Sequence, residues 1–292
     1  MRYSALDSGQ PAIRSNMHYP IIDPIIFSIG PIALRWYGLM YLLGFAAVYW
    51  LGTRRMRTHP GGWDSEQISD LVFYGALGAL LGGRVGYVIF YNFSNFLADP
   101  LYLFRVWEGG MSFHGGFLGV LVALLLFAFK TNRHFLQVTD FIAPLCPIGL
   151  GLGRMGNFIN MELPGRVTDS AFGIVFHCDA VRGLSALCLG SWESVARHPS
   201  SLYQAFTEGL LLFCLLWFVS IKPRPMGQIS GLFLVGYGSF RFITEFFRSP
   251  DSHIGFVFLD AFSMGQLLSL PMIIVGVLLI LWARRRNLAA PA

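Results

Sequence analysis

Charged residues are scarce in this sequence. Only 13% of its 292 residues are Asp, Glu, Lys or Arg, whereas a soluble globular domain carries about 25%. Hydrophobic residues make up 54% of the chain, and its mean hydropathy is +0.57. This balance argues against a water-soluble fold and for a chain that lies almost entirely in a lipid bilayer.

Metal-binding and redox patterns are also missing from the sequence. The four cysteines contain no C-x-x-C pair and the seven histidines no H-E-x-x-H, so we expect no metal and no cofactor. Cys146 and Cys214 fall within apolar stretches, and we interpret them as small core residues. Cys178 and Cys188 share a long polar stretch, where they would either form a disulfide in an oxidising compartment or stay as two free thiols.

The N-terminal residues 1–16 are polar and contain no apolar segment of the kind found in a cleavable signal peptide. We therefore expect the first apolar stretch to direct insertion. Met17 is an alternative start of the protein, with the preceding segment as an extension.

Seven long apolar stretches are present. A helix of about 20 residues crosses the roughly 30 Å hydrocarbon core of a bilayer. We therefore predict an all-α polytopic membrane protein with seven transmembrane helices. The predicted spans cover residues 31–51, 68–91, 113–129, 135–159, 199–220, 229–247 and 262–282.

Basic residues alternate between the linkers and predict the orientation of these spans. Ten of the 21 lysines and arginines lie in four linkers, one after each of the first, third, fifth and seventh stretches. The positive-inside rule places those linkers and the C-terminus in the cytoplasm and the N-terminus outside. It also accounts for the net charge of +5 without a nucleic-acid partner. The residues are Arg54, Arg55, Arg57, Lys130, Arg133, Lys222, Arg224, Arg284, Arg285 and Arg286.

The remaining segments complete the predicted layout. Residues 1–30 form an N-terminal tail and interfacial segment, and residues 287–292 form a cytoplasmic tail. Within the membrane domain at residues 31–286, the aromatic-rich stretch 92–112 is too interrupted by charge and proline to cross, and we predict an interfacial arm. The polar stretch 160–198 reads as a small extracytoplasmic head.

Several polar side chains lie inside the predicted spans, where a charge costs roughly 2.5 to 3.5 kcal/mol at the centre. Internal ion pairing would explain single members of this set. Their common position on the outer side instead favours a lipid-headgroup site, because guanidinium suits bidentate phosphate binding. Asp140, near the cytoplasmic side, is interpreted as a helix-end or pairing group. The outer set is Tyr37, Arg84, His114, Arg154, Asn157, Glu208, Arg241, Glu245 and Arg248.

Glycines recur at helical spacing. The run that begins at Gly151 matches G-x-G-x-x-G, but it lies in an apolar span without the strand that a dinucleotide site requires. We interpret it as a close helix contact that also leaves room for a substrate beside Arg154. The same contact is predicted by the G-x-x-x-G pairs Gly78 with Gly82, Gly82 with Gly86, and Gly115 with Gly119.

Longer motifs, which follow one another in a fixed order from about Tyr19 to Arg286, are more specific. Through them the sequence resembles the bacterial prolipoprotein diacylglyceryl transferases. The motifs are RWYGLMY at 35–41, GGRVGY at 82–87, GGMSFHGG at 109–116, GRMGNFIN at 153–160, RHPS at 197–200, PRP at 223–225 and RFITEFFR at 241–248.

The resemblance implies a multi-pass enzyme of the bacterial inner membrane with its active site toward the periplasm. Such an enzyme transfers the diacylglyceryl group of phosphatidylglycerol to the lipobox cysteine thiol of a preprolipoprotein. The reaction forms a thioether, releases glycerol phosphate and is the first step of lipoprotein maturation. The implied partners are phosphatidylglycerol, the signal peptide with its lipobox cysteine, and the bilayer.

Site residues are carried over by motif position. Arg154 and Arg241 would be the phosphate-handling arginines, with His114 and Tyr37 as the other catalytic residues. Supporting, lipid-binding roles fall to Asn157, Glu162, Gly165, Glu245, Arg248 and Arg84. The chain departs from the family pattern at three positions near the head: Met161 replaces Gly, Pro164 stands where Trp is frequent, and Gln204 where Glu is frequent.

Two other classes of function fit the residues less well. A lipid or anion transporter would need polar groups through both leaflets, but the cytoplasmic half holds few besides Asp140. A structural scaffold or insertion factor would not need clustered arginine, histidine and asparagine.

Overall fold

The computed structural model describes residues 17–20, 22–30, 32–58, 61–163, 165–175, 196–249, 256–258 and 262–286. Cys178 and Cys188 lie outside the described residues, so their pairing as a disulfide stays a prediction. Pro164 also lies outside the described residues. The helices are α1 (Trp36–Thr58), α2 (Ser65–Tyr91), α3 (Phe93–Ala98), α4 (Phe113–Lys130), α5 (Phe135–Ile142), α6 (Cys146–Ile159), α7 (Ser200–Val219), α8 (Gln228–Thr244) and α9 (Met264–Arg286).

Four of these helices, α2, α4, α7 and α9, are long and apolar enough to cross a membrane. The pair α5 and α6 is bent by 53° at a short break and makes a fifth candidate if it is one span. Many large apolar side chains on the helices point outward, including Phe90, Phe129 and Phe218, as a lipid-facing surface requires. The described chain is therefore a mostly helical, polytopic membrane protein.

The predicted spans coincide with helices, with differences at their ends. The first was predicted from residue 31, but strands β1 (Ile25–Ile29) and β2 (Ile32–Arg35) form an antiparallel hairpin there. Residues 32–35 therefore pair as a strand, and α1 begins only at Trp36, whose backbone N–H donates to Pro24 O at 3.1 Å. The fourth predicted span is the bent pair, and Pro147 lies in the first turn of α6.

Glycine-to-glycine contact joins α2 and α4. A Cβ atom built on Gly119 would lie 2.0 Å from Gly78 O, and one built on Gly115 would lie 2.3 Å from Gly82 O. Backbone therefore touches backbone along this pair, and the contact predicted from the G-x-x-x-G spacing is confirmed.

Asp140 on α5 fixes the start of α8. Its carboxylate accepts the backbone N–H groups of Gly227 at 2.6 Å and Ser230 at 2.7 Å. Because the first N–H groups of a helix have no partner within the helix, this carboxylate caps α8 from a neighbouring element. The interpretation of Asp140 as a helix-end group is confirmed.

Segment 92–112 consists of α3 and two short 3₁₀ turns, Pro100–Phe104 and Val106–Glu108. Arg84 of α2, only 2% exposed, holds this segment by donating to the carbonyl oxygens of Tyr102 at 2.6 Å, Leu103 at 3.0 Å and Gly109. The segment carries exposed aromatic side chains such as Phe104 and Trp107.

The other strands are short. β3 (Ile174–Val175) pairs with β4 (Ala196–Arg197), and β5 (Phe256–Phe258) pairs with β6 (Phe262–Ser263), both antiparallel. Strand β4 comes directly before α7, and strand β6 comes directly before α9. Each pair therefore holds the segment that leads into one of these helices.

Candidate active site

Two arginines from different helices approach one buried carboxylate. Arg154 Nη2 of α6 lies 3.4 Å from Glu208 Oε2, and Arg241 Nη1 of α8 lies 3.8 Å from Glu208 Oε1. The Glu208 side chain, on α7, is 0% exposed, whereas those of Arg154 and Arg241 are 18% and 14% exposed. The two guanidinium groups therefore contact a fully buried carboxylate while they themselves stay partly accessible.

Glu245 forms the second half of the cluster. Its Oε1 atom lies 2.6 Å from Arg241 Nη2 and 3.0 Å from Arg248 Nη1. Its Oε2 atom accepts a hydrogen bond of 2.9 Å from Ser263 Oγ, at the start of α9. Arg241 and Arg248 therefore meet Glu245 from one side, although α8 ends at Thr244 and Arg248 reaches back from the following turn.

The charges of the described members of this cluster do not cancel. Within the part of the chain that the structure describes, three guanidinium groups surround two carboxylates, and these five charges sum to one net positive charge in a largely buried place. The Nη1 atom of Arg241 is buried and has no hydrogen-bond partner among the described residues. A buried cation with an unused donor favours an anion, and guanidinium binds phosphate and carboxylate in this way.

Helix α7 contributes Glu208 through an irregular stretch. Residues Ala205–Leu211 are π-helical. This geometry is rare in proteins, and where it occurs it is often found at a functional site. Gly209 in this stretch packs against Gly151 of α6, whose Cβ position lies 3.0 Å from Gly209 Cα. The contact confirms that Gly151 serves helix packing. Around a Cβ built on Gly153, beside Arg154, no described atom lies within 4 Å.

Tyr37 lies at the start of α1 against α6. A Cβ atom on Gly156 would lie 2.8 Å from Tyr37 Cδ2, so the ring occupies the space that this glycine leaves. The Tyr37 hydroxyl lies 3.3 Å from that of Tyr41, and it interacts electrostatically with Arg154 and Glu162. Tyr37 is therefore next to the arginine cluster.

Asn157, in the last turn of α6, and Glu162, just after it, form a second polar group. Asn157 Nδ2 donates to Glu162 Oε2 at 2.7 Å, and Asn160 Nδ2 donates to Oε1 at 3.2 Å. Glu162 is flanked by two residues with left-handed backbone, Met161 at φ 50° and Leu163 at φ 57°. The glycine of the family pattern at position 161 fits this backbone, which Met161 adopts here with its side chain buried.

Gly165 joins the head to the segment of Arg248. It pairs with Arg248 as an antiparallel bridge, and its carbonyl oxygen accepts from Ser249 Oγ at 2.9 Å and Arg197 Nη1 at 3.1 Å. A Cβ atom at this position would lie 2.0 Å from His198 O. Only glycine allows this close approach.

His114 and Arg84 lie apart from these groups. His114 is exposed in the first turn of α4, with its ring edge-on to Phe113, and forms no hydrogen bond or ion pair with another described residue. The guanidinium of Arg84 is occupied by backbone carbonyl oxygens of the segment 92–112. Eight of the ten predicted site residues thus fall into the linked groups around α6, α8 and the segment that follows α6.

The sequence reasoning missed four residues that contact the carboxylates and arginines or lie beside them. Thr244 Oγ1 donates to Glu208 Oε1 at 3.3 Å, Ser263 binds Glu245, and Tyr237 lies beside Arg154. Gln266 is tied to Ser263 by the reciprocal bonds of a capping box, Ser263 N to Gln266 Oε1 at 3.0 Å and Gln266 N to Ser263 Oγ at 3.3 Å. The S-x-x-Q pattern at 263–266 was the available signal for this pair.

Comparison with known proteins gives the same family throughout. The family model described as prolipoprotein diacylglyceryl transferase matches residues 24–282. A relative from Pseudoalteromonas atlantica, named phosphatidylglycerol--prolipoprotein diacylglyceryl transferase, is 59% identical over 280 residues, 94% of each chain. Relatives of the same name from Escherichia coli O1:K1 and Shigella boydii serotype 18 are 53% identical over 282 residues, 94% of this chain and 97% of theirs. The chain therefore belongs to the prolipoprotein diacylglyceryl transferase family.

Proposed function

We propose that this chain transfers the diacylglyceryl group of phosphatidylglycerol to the lipobox cysteine thiol of preprolipoproteins, forming a thioether and releasing glycerol phosphate. The observation that carries the proposal is the buried cluster in which three arginines meet two glutamates, a sum of one net positive charge over the described residues. One phosphodiester anion would neutralise that charge. The family membership supplies the substrates.

The chemistry needs a stabilised leaving group. The cysteine sulfur attacks the glyceryl carbon, the S–C bond forms, and the bond from that carbon to the phosphate oxygen breaks. The phosphate changes from a singly charged diester to a monoester with more negative charge. Preorganised guanidinium groups in a water-poor site stabilise such developing charge far better than water does.

Arg154 and Arg241 are the residues that we assign to the phosphate, since they approach one point from α6 and α8 and keep an unused donor. Glu208 and Glu245 hold the two guanidinium groups in place, and Arg248 in turn holds Glu245. The adjacent polar group consists of Asn157 and Glu162, and Tyr37 and Gly165 support it.

We assign one of two roles to His114: it accepts the proton of the cysteine thiol, or it binds the lipid headgroup. The exposed His114 ring has no competing partner among the described residues. Because it lies at the start of α4 and outside the arginine cluster, it would approach the substrate from a different side of the site.

The proposed setting is the bacterial inner membrane, with seven crossings in which α1 and α8 join the candidate spans of the fold. The N-terminus lies outside, the C-terminus in the cytoplasm, and the active site toward the periplasm. The segment 92–112 is the interfacial arm, and 160–198 the periplasmic head of the domain 31–286. In this arrangement both the lipid and the signal peptide present their reacting atoms at the same depth.

A direct assay tests the proposal. Purified protein is incubated with phosphatidylglycerol and a lipobox peptide, and the peptide is followed by mass for a thioether-linked diacylglyceryl adduct. A peptide with serine in place of the cysteine is the matched control. An adduct on the cysteine peptide alone is expected, with glycerol phosphate in equal amount. A folded, membrane-inserted protein that forms no adduct would refute the proposal.

A further inference from the structure

Gln204 on α7 is a buried polar side chain that forms no hydrogen bond with the described part of the chain. It is 0% exposed, and neither its amide nitrogen nor its amide oxygen has a hydrogen-bond partner among the described residues. Buried polar groups are nearly always hydrogen-bonded, because leaving one unpaired is costly. Both ends of this amide therefore keep a hydrogen-bonding group that no described residue uses.

The position of Gln204 on the helix places it between the two polar groups of the site. Three residues earlier, Ser201 donates its hydroxyl to Glu162 O at 3.3 Å. Four residues later, Glu208 meets Arg154 and Arg241. Ser201 and Gln204 share one face of the α-helical part of α7, and Gln204 and Glu208 lie about one turn apart across the start of its π-helical part. Gln204 thus lies within one headgroup length of the arginine pair.

We propose that Gln204 binds the glycerol hydroxyls of the phosphatidylglycerol headgroup and selects this lipid over phospholipids without them. The inference rests on the proposed function, in which Arg154 and Arg241 hold the phosphate. A hydroxyl both donates and accepts a hydrogen bond, and an amide offers one group of each kind. The headgroup glycerol is attached to the phosphate by a single oxygen, so its hydroxyls fall a few ångströms from the guanidinium groups.

A cationic headgroup fits this place poorly. The two nearby carboxylates, Glu208 and Glu245, are already engaged by arginines, which outnumber the carboxylates among the described residues of the cluster. An ammonium group would meet a neutral amide and this positive field, whereas a neutral polyol meets matched hydrogen-bonding groups. The Gln204 amide therefore favours hydroxyls by attraction, and the nearby arginines disfavour ammonium groups by repulsion.

The test compares two lipids with equal charge and identical acyl chains. Phosphatidylglycerol carries two headgroup hydroxyls, and phosphatidylpropanol carries none. The ratio of their kcat/KM values for diacylglyceryl transfer isolates the contribution of the hydroxyls. We expect the wild-type chain to prefer phosphatidylglycerol, and Gln204→Leu to reduce that preference roughly tenfold or more, mainly by slowing transfer from phosphatidylglycerol.

Two further variants separate this role from a structural one. Gln204→Glu, the residue frequent in the family, accepts the same hydroxyls and should keep the preference, even if its charge lowers the rates with both lipids equally. Gln228→Leu, the same substitution at another largely buried glutamine at the opposite end of the bundle, should leave the ratio unchanged.

The proposed role of Gln204 would be refuted if a folded Gln204→Leu variant kept the wild-type ratio of kcat/KM values for the two lipids. An equal drop in transfer from both lipids leaves that ratio unchanged and would refute it as well. Transfer that fails in the wild-type chain with both lipids would refute the proposed function instead. The two failures are therefore distinguishable.

Discussion

At the scale of single residues, the geometry of guanidinium decides how Arg154 and Arg241 are tested. Each shares the carboxylate of Glu208 at 3.4 to 3.8 Å, and a lysine would keep that charge while losing the planar, two-pronged donor. We expect Arg154→Lys and Arg241→Lys each to fold and insert but to lose roughly a hundredfold or more in kcat. Loss of one preorganised donor costs about 3 kcal/mol in such a site.

The control for this pair is Arg57→Lys, an exposed arginine at the end of α1, which should leave the rate unchanged. Folding is checked by thermal unfolding in detergent. If the two arginines served only to balance Glu208 and Glu245 for packing, lysine would restore both stability and activity. Near wild-type transfer in both lysine variants would therefore remove them from the mechanism.

His114 gives a separate prediction, because it is exposed and has no described hydrogen bond to lose. His114→Asn should be as stable as the wild-type chain and should lose most of its activity, since asparagine can still donate and accept a hydrogen bond but is not a base. Rates measured from pH 6 to 8 report on the role. Activity close to wild type across this range would exclude the general base and leave Glu245, another group or the substrate phosphate as the proton acceptor.

Residue chemistry also shows what sequence reasoning could and could not reach. The expected depth of Arg154, Arg241, Glu245 and Arg248 in apolar spans marked them. The structure brings the three arginines to two carboxylates, those of Glu245 and Glu208. In the sequence, Gln204 was marked only because it stands where Glu is frequent in the family pattern. Its burial without partners is a three-dimensional property that no local spacing encodes.

At the scale of secondary-structure elements, the α2–α4 pair depends on atoms that cannot move aside. A Cβ on Gly119 would lie 2.0 Å from Gly78 O and 2.9 Å from Gly82 Cα, both backbone atoms. Gly119→Ala must therefore separate the helices, and we expect a loss of about 1–3 kcal/mol in the free energy of unfolding. Thermal unfolding in detergent measures this loss.

Gly75→Ala on α2 is the matched control, because no described atom lies within 4 Å of its Cβ position. Alanine has a higher helix propensity than glycine by up to about 1 kcal/mol, so this variant should be as stable as the wild-type chain or more so. Equal stability of Gly119→Ala and Gly75→Ala would mean that the glycine contact does not hold the two helices together.

The elements were predictable where a single local signal determines them. Apolar run length located the helices, and the spacing of glycines found the α2–α4 contact. The hairpin at 25–35 was missed because Ile25–Ile29 and Ile32–Arg35 look like the approach to an apolar span, and only their mutual pairing makes them strands. The π-helical stretch Ala205–Leu211 has no recognisable sequence signal.

At the scale of the whole molecule, the basic linkers meet at one end. Arg55, at the end of α1, donates to Ser220 Oγ after α7 at 2.6 Å. Arg133, after α4, donates to Gly61 O and Gly62 O after α1, each at 2.7 Å. Three linkers far apart in sequence therefore lie on the same side of the helices, as a common cytoplasmic face requires. Such long-range neighbours could be inferred from the charge alternation, whereas the pairing of Gly165 with Arg248 could not.

The orientation of that face is the prediction with the widest consequence, because the depth of every site residue depends on it. Positive linkers resist translocation across the membrane, so the face with Arg55, Arg133 and the terminal Arg286 should remain in the cytoplasm. A reporter active only outside the cytoplasm should be silent when fused after Arg286 and active when fused within residues 170–190. A second reporter, active only inside, should give the opposite result at the same two points. If both reporters reverse, the arginine cluster faces the cytoplasm and cannot meet a lipobox cysteine presented at the outer surface.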